Sequence, residues 1–470
     1  MLKNFYLPIL VFALLFTPLY SQEEPCIITT DDEGITTDNC PALHVCIEGE
    51  FVCKHKDIFP LTFREIFGGF LIMILSGLST TGGMGGGSVL TPLLLTLYSY
   101  TANKSITLVY VLIFGGSLGN FLNVAFQRDI QTGKPLVIYD LALIMAPLMI
   151  LGSNVGVLLN KMIAPVFIIS GLIYLVTTSL GKIYKKAKVS YAKESQMFDK
   201  LLENSPDKTQ QNIEMSQLNN IDNDHSENIT KLPQELEIML EEEKTFFPKS
   251  RLIFIGYMIT FILLVVILKG TDKFHSALGI EYCSVGYWGW FIMGLGGMYL
   301  FYTKGFNIIK HKIDLKRQYN FTQQDFRIGD DNIRQIGQLS ILAGLLGALL
   351  GIGGGMILGN PMLAMGVGAQ NMTATCGLFI VITSFINLVQ AFLLGSITIN
   401  EIIFFFIVSS VGSYLVSWVL TWLVKKYKRP SILLYSLTLI MAITLGILPL
   451  FTVYKTYLNP GQMFHFSPPC

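Results

Sequence analysis

Long, nearly uncharged apolar runs govern what this chain can become. They fall at about 62–80, 84–100, 105–127, 136–160 and 162–182, then 251–269 and 285–303, and finally 336–351, 354–368, 371–394, 400–424 and 430–453. Several approach the ~20 residues a helix needs to cross the hydrocarbon core of a bilayer. Lipid offers no hydrogen-bond partners, so spanning segments of this kind read as helices. Composition agrees. Of 470 residues, 51% are hydrophobic and 14% charged, against about a quarter charged in a soluble domain. Mean hydropathy is +0.54. A soluble enzyme, a nucleic-acid binder and a fibrous protein are excluded. The net charge of +1 names no polyanionic partner. The expected fold is an all-α polytopic membrane protein.

Residues 1–21 have the form of a signal peptide, with Lys3, an apolar core from Leu7 to Leu19 and the small Ser21. An uncleaved anchor helix is the other reading. The polar segment 22–59 carries four of the seven cysteines, Cys26, Cys40, Cys46 and Cys53. In an exported segment an even count reads as two disulfides, with three connectivities open. A zinc site with His44 and His55 competes, although zinc-binding cysteine pairs usually lie two to four residues apart. Cys283, Cys376 and Cys470 receive no chemistry.

Lys and Arg near span ends set orientation. Lys182, Lys185, Lys186 and Lys188, the loop from Lys304 to Arg334, the group Lys425, Lys426, Lys428 and Arg429, and the turn with Arg128 and Lys134 all belong in the cytosol by this rule. The resulting plan is an extracytosolic Cys-rich segment (22–59), a first transmembrane repeat (60–182), a cytosolic polar loop (183–250), two linking transmembrane helices (251–303), a basic cytosolic loop (304–335), a second transmembrane repeat (336–453) and an extracytosolic tail (454–470). Most of 183–250 reads as polar linker, with a short acidic helix expected at its end, 232–243.

Counting spans from these loops gives the two repeats opposite orientation, and they share a motif. Gly83-Met84-Gly85-Gly86-Gly87-Ser88 precedes Pro92, and Gly351-Ile352-Gly353-Gly354-Gly355-Met356 precedes Pro361. The second has one more residue before its proline, with Asn360 in the gap. Glycine-interrupted apolar segments in inverted repeats point to the binding site of a secondary transporter. A half-helix starting near Ser88 or Met356 turns free N–H groups toward a cavity and favours an anion there. Gly85, Gly86, Gly87 and Ser88, with Gly353, Gly354, Gly355 and Met356, are therefore the expected substrate-binding backbone. Thr91, Asn360, Thr373 and Thr375 are candidate side-chain donors. Close packing of small residues is the competing reading of the glycines.

Two polar stripes follow the motifs at the same spacing: Ser117, Asn120 and Asn123, then Ser384, Asn387 and Gln390. They line the site or bond helix to helix. Asp140 is a helix-start acid or a proton-coupling group. Lys104 attracts anions or snorkels, and Glu401 is a helix-end acid. All six histidines fall outside the spans, and no phosphate-binding G-x-x-x-x-G-K-[S/T] loop occurs. An intramembrane hydrolase and an ATP-driven motor are therefore unsupported, and no cofactor or metal is expected.

The paired glycine motifs, together with Tyr139-Asp140-Leu141-Ala142-Leu143, Pro147-Leu148-Met149 and Thr373-Ala374-Thr375, resemble the sulfite exporter TauE/SafE family of permeases, in its eukaryotic branch. The likeness covers most of 62–182 and 336–453. It implies transport of a small sulfur-containing anion such as sulfite, a sulfonate or thiosulfate, with proton or sodium as the candidate coupling ion. A receptor or assembly factor acting through the disulfide-bearing ectodomain is the alternative.

Overall fold

A computed structural model describes residues 28–30, 36–38, 44–47, 52–83, 85–100, 102–129, 133–203, 234–271, 274–319, 330–393, 397–427, 429, 431–458 and 466. The signal-peptide expectation, Cys26 and Cys40 fall outside them. Two small antiparallel hairpins come first, β1 (Ile28–Thr30) with β2 (Thr36–Asp38) and β3 (His44–Ile47) with β4 (Val52–His55). The second register sets Cys46 opposite Cys53.

Thirteen helices follow among the described residues: α1 (Phe63–Thr81), α2 (Gly87–Leu97), α3 (Ala102–Val124), α4 (Tyr139–Met162), α5 (Pro165–Glu203), α6 (Gln234–Lys244), α7 (Lys249–Lys269), α8 (Val285–Gln318), α9 (Asp330–Leu349), α10 (Gly355–Ala364), α11 (Ala369–Leu393), α12 (Ile399–Tyr427) and α13 (Ser431–Leu458). Seven are long and apolar enough to cross a membrane, and the protein is an all-α polytopic membrane protein. The acidic helix expected at 232–243 is α6. Two helices outrun their apolar runs: α5 continues to Glu203 and α8 to Gln318. Hydropathy marks where lipid ends, whereas Lys-rich sequence, a good helix former, continues a helix into water.

The packing is reciprocal. α1 packs on α12, α9 on α4, α3 on α11 and α12, and α5 on α13. Lipid tails are as apolar as leucine, so helices associate through close backbone approach and polar contacts. A Cβ on Gly115 of α3 would stand 2.7 Å from the Phe406 carbonyl oxygen of α12, and one on Gly152 or Gly344 would overlap a carbonyl across the α4–α9 contact. Ser409, Ser413 and Ser417 recur once per turn on α12, all buried. Ser76 of α1 meets Ser409 at 2.5 Å and Ser413 at 3.0 Å, and Ser409 donates to the Leu112 carbonyl at 2.6 Å. Glu65 and Glu401 fix two helix starts by accepting from the Thr62 and Thr398 N–H groups at 2.7 and 3.0 Å.

Candidate anion site at the broken helices

Both glycine runs break their helices. α1 ends at Thr81 and α2 begins at Gly87; α9 ends at Leu349 and α10 begins at Gly355. The residues before the new helices, Gly86 and Gly354, have φ of +82° and +37°, a region that a Cβ disfavours. The half-helices start one residue before the expected Ser88 and Met356. Pro92 and Pro361 stand sixth and seventh in their helices. A proline there withdraws the N–H that would bond the carbonyl four residues earlier, so Ser88 and Ile357 lose that helical partner.

The breaks meet. A Cβ on Gly87 would overlap the Gly351 carbonyl oxygen, and one on Gly355 would overlap that of Gly83. The motif aligns Gly87 with Gly355 and Gly83 with Gly351, so the two contacts are the same contact made in both directions. A Cβ on Gly85 would lie 3.1 Å from the Ile352 carbonyl oxygen. Backbone thus packs on backbone at the crossing. Cys376, buried in α11, is beside it, its Cβ 3.4 Å from where a Gly83 Cβ would be.

A cleft lies beside the crossing. Its lining includes Thr81 from the end of α1, Asn120, Gln127 and Arg128 from α3 and the turn after it, Gln370 and Thr373 from the start of α11, and Thr421 and Lys425 from α12. Val124, Leu136, Val424 and Leu433 supply the apolar wall. The described lining thus has two cations and no carboxylate. Thr373 was expected here. Arg128 and Lys425 were read only as orientation charges.

Other expected donors are engaged elsewhere. Thr91 bonds back to the Gly87 carbonyl at 2.8 Å, and Thr375 accepts from the Ile138 N–H at 3.1 Å. The Ser88, Met356 and Asn360 side chains fall outside the described atoms. The stripes are largely interhelical: Asn120 donates to the Thr80 carbonyl at 3.2 Å and accepts from Ser417 at 2.7 Å, and Asn123 donates to Ser417 at 2.8 Å. In the other half Asn387 accepts from Ser153 at 3.0 Å and Gln390 donates to Asn154 at 2.9 Å. Ser117 and Ser384 bond within their own helices.

Asp140 sits in the first turn of α4. One oxygen takes Arg251 of α7 at 3.0 Å and the other takes Lys312 of α8. Lys312 also reaches Glu243 of α6, which binds Lys316 at 2.7 Å and Lys134 at 3.0 Å. Burial alone would raise the Glu243 pKa, but Lys312 and Lys316 outweigh it and hold it down at about 2. At the opposite end of the bundle Lys104 pairs with Glu401 at 2.7 Å. Next to that pair Tyr98, Tyr100 and Phe405 are sealed in, with Tyr98 and Phe405 ring centres 5.1 Å apart. Cys283, in the loop between α7 and α8, is disulfide-bonded, which its sequence context did not suggest.

Three plant proteins from Arabidopsis thaliana are similar to this chain. "Sulfite exporter TauE/SafE family protein 2" is 25% identical and covered end to end in both chains. Protein 5 of that name is 24% identical over 87% of this chain and 88% of its own. Protein 1 is 23% identical over 87% and 89%. No protein-family model and no solved structure matches. The resemblance carried by the glycine motifs therefore extends along the whole chain.

Proposed function

We propose that this chain, similar along its full length to proteins named sulfite exporters, is a secondary transporter of a small sulfur-containing anion. Its substrate path is the cleft beside the crossed helix breaks. One observation carries the reading: two glycine breaks contact each other reciprocally, and the described lining of the cleft beside them has Arg128 and Lys425 and no carboxylate. Reciprocal contact at the crossing, with α1 on α12 and α9 on α4, is what two inverted repeats related by a two-fold axis would produce. The half-helix N-termini of α2 and α10, and that of α11 at Ala369, a turn before Thr373, supply partial positive charge. The glycines then serve the site by close approach, and the cleft side chains meet the anion.

The Lys- and Arg-bearing loops at the cleft end support a cytosolic position for it by the positive-inside rule. The disulfide at Cys283, at the far end, accords with an oxidising compartment there. Tyr98, Tyr100, Phe405 and the Lys104–Glu401 pair close that far end, so the conformation faces inward. Alternating access would rock one repeat against the other, with the serine ladder of α12 offering partners one turn apart. Asp140, with a cation on each oxygen, serves here as a tether and not as the coupling carboxylate.

A ligand that binds only the folded state stabilises it by mass action. The purified protein is expected to show saturable thermal stabilisation by thiosulfate, methanesulfonate or sulfate relative to chloride, and Arg128→Ala/Lys425→Ala is expected to lose it. An equal response in that double variant would remove the cleft from the reading. No stabilisation by any sulfur oxyanion would favour a protein that works through its ectodomain.

A further inference from the structure

We propose that the strap joining α6 to α7, residues 242–248, positions the substrate arginine, with Phe246 as the positioning residue for Arg128. The inference rests on the transport reading above and deepens it.

Arg128 stands in the tight hairpin between α3 and α4. The backbone there closes on itself: Leu136 N–H bonds the Gln127 carbonyl at 3.1 Å, Asp129 N–H bonds the Lys134 carbonyl at 2.8 Å, and Arg128 bridges to Pro135. Three residues of this hairpin, Gln127, Arg128 and Leu136, form one wall of the cleft. Leu136 is buried in the bundle core, whereas Arg128 is exposed. A long side chain in that setting needs something to hold it.

The strap supplies three points of contact. The Arg128 guanidinium lies over the Phe246 ring, 4.6 Å from its centre, while its Nη1 donates to the Gly133 carbonyl at 2.8 Å. Phe247 meets Phe126 edge to face at 5.4 Å. Lys134 pairs with Glu243 at 3.0 Å. The strap is itself anchored, because Glu243 also takes Lys312 and Lys316 of α8, and Ser250 of α7 donates to Glu242 at 3.0 Å. The end of the long polar loop thus connects the linking helices to the cleft wall. A guanidinium stacked on a ring keeps its charge and its remaining N–H donors. Phe246 therefore fixes where the cation sits without neutralising it.

The test compares transport kinetics in proteoliposomes loaded with radiolabelled thiosulfate. The Phe246 ring also lies 6.4 Å from that of Phe126; Phe246→Leu keeps an apolar group there and removes the ring face. It is expected to raise the apparent KM for the anion about two- to fivefold, the worth of an exposed cation–π contact, with Vmax unchanged. Phe246→Tyr should restore wild-type KM. In an Arg128→Ala background Phe246→Leu should add nothing, because the group it positions is gone. A wild-type KM in Phe246→Leu, beside an Arg128→Ala variant that is impaired, overturns the positioning role and leaves the transport reading standing. A KM effect of Phe246→Leu that persists undiminished without Arg128 also overturns it. If Arg128→Ala/Lys425→Ala transports as wild type does, the cleft reading itself has failed, and the positioning role with it.

Discussion

Gly87→Ala is expected to cost the folded protein about 3 kcal/mol or more, and Gly355→Ala a similar amount. Overpacking usually costs 1–3 kcal/mol because side chains rotate away. Here the obstacle is backbone, the Gly351 carbonyl in one case and the Gly83 carbonyl in the other. No rotamer change relieves it; the two breaks must separate, and with them the packing of α1 on α12 and α9 on α4. Gly181 of α5 and Gly256 of α7 have open space around them. Alanine at those positions should be neutral or stabilising by about 0.5–1 kcal/mol through helix propensity. Thermal unfolding followed by size-exclusion chromatography separates the two classes. Equal behaviour of Gly87→Ala and Gly256→Ala would show that the crossing is not in backbone contact.

Lys312→Met should be the next most damaging change, at about 3 kcal/mol, because it strips a cation from Asp140 and Glu243 together and leaves both acids largely buried. The same cluster gives the protein an acid-sensitive element. Glu243 has its pKa lowered from 4.5 to about 2 in the folded state. Its stabilisation is therefore complete above about pH 4.5 and is lost as pH falls from there toward 2, at most about 3 kcal/mol in all. Glu243→Gln should be less stable at pH 7 and should lose that part of the pH dependence. Melting curves of wild type and both variants between pH 7 and pH 3 check this. A Lys312→Met protein as stable as wild type would mean that the acids find other partners.

The breaks were legible in the sequence because lipid leaves a glycine run few alternatives. A run ending in a proline within an apolar segment has to interrupt the helix and face protein or a cavity. The half-helix starts were read to within one residue. Pro92 and Pro361 both lie past the first turn of their half-helices, where each missing N–H removes a helical hydrogen bond. Spacing alone left the two stripes between packing and binding. The structure shows Asn123, Asn387 and Gln390 bonding to neighbouring helices, and Asn120 doing so while also lining the cleft.

The cleft cations escaped for a different reason. Arg128 and Lys425 sit at span ends, where a positive charge reads the same whether it meets headgroups or a substrate path. Only the tertiary approach of the α3–α4 hairpin to the end of α12 brings the two cations to one cleft. Asp140 was ambiguous for the same reason, since its partners Arg251 and Lys312 lie 111 and 172 residues away. Cys283 has no cysteine near it in sequence, and its bond is equally long-range information.

The central claim is that anions cross the membrane through the cleft beside the crossed breaks. Flux of radiolabelled sulfite into proteoliposomes, with sulfate in parallel and with wild type beside Arg128→Ala/Lys425→Ala, tests it most directly. The account predicts saturable flux of at least one of the two anions in wild type, and its loss in a double variant that elutes and melts as wild type does. Undiminished flux in the double variant, or none in wild type under imposed pH and sodium gradients, would contradict it.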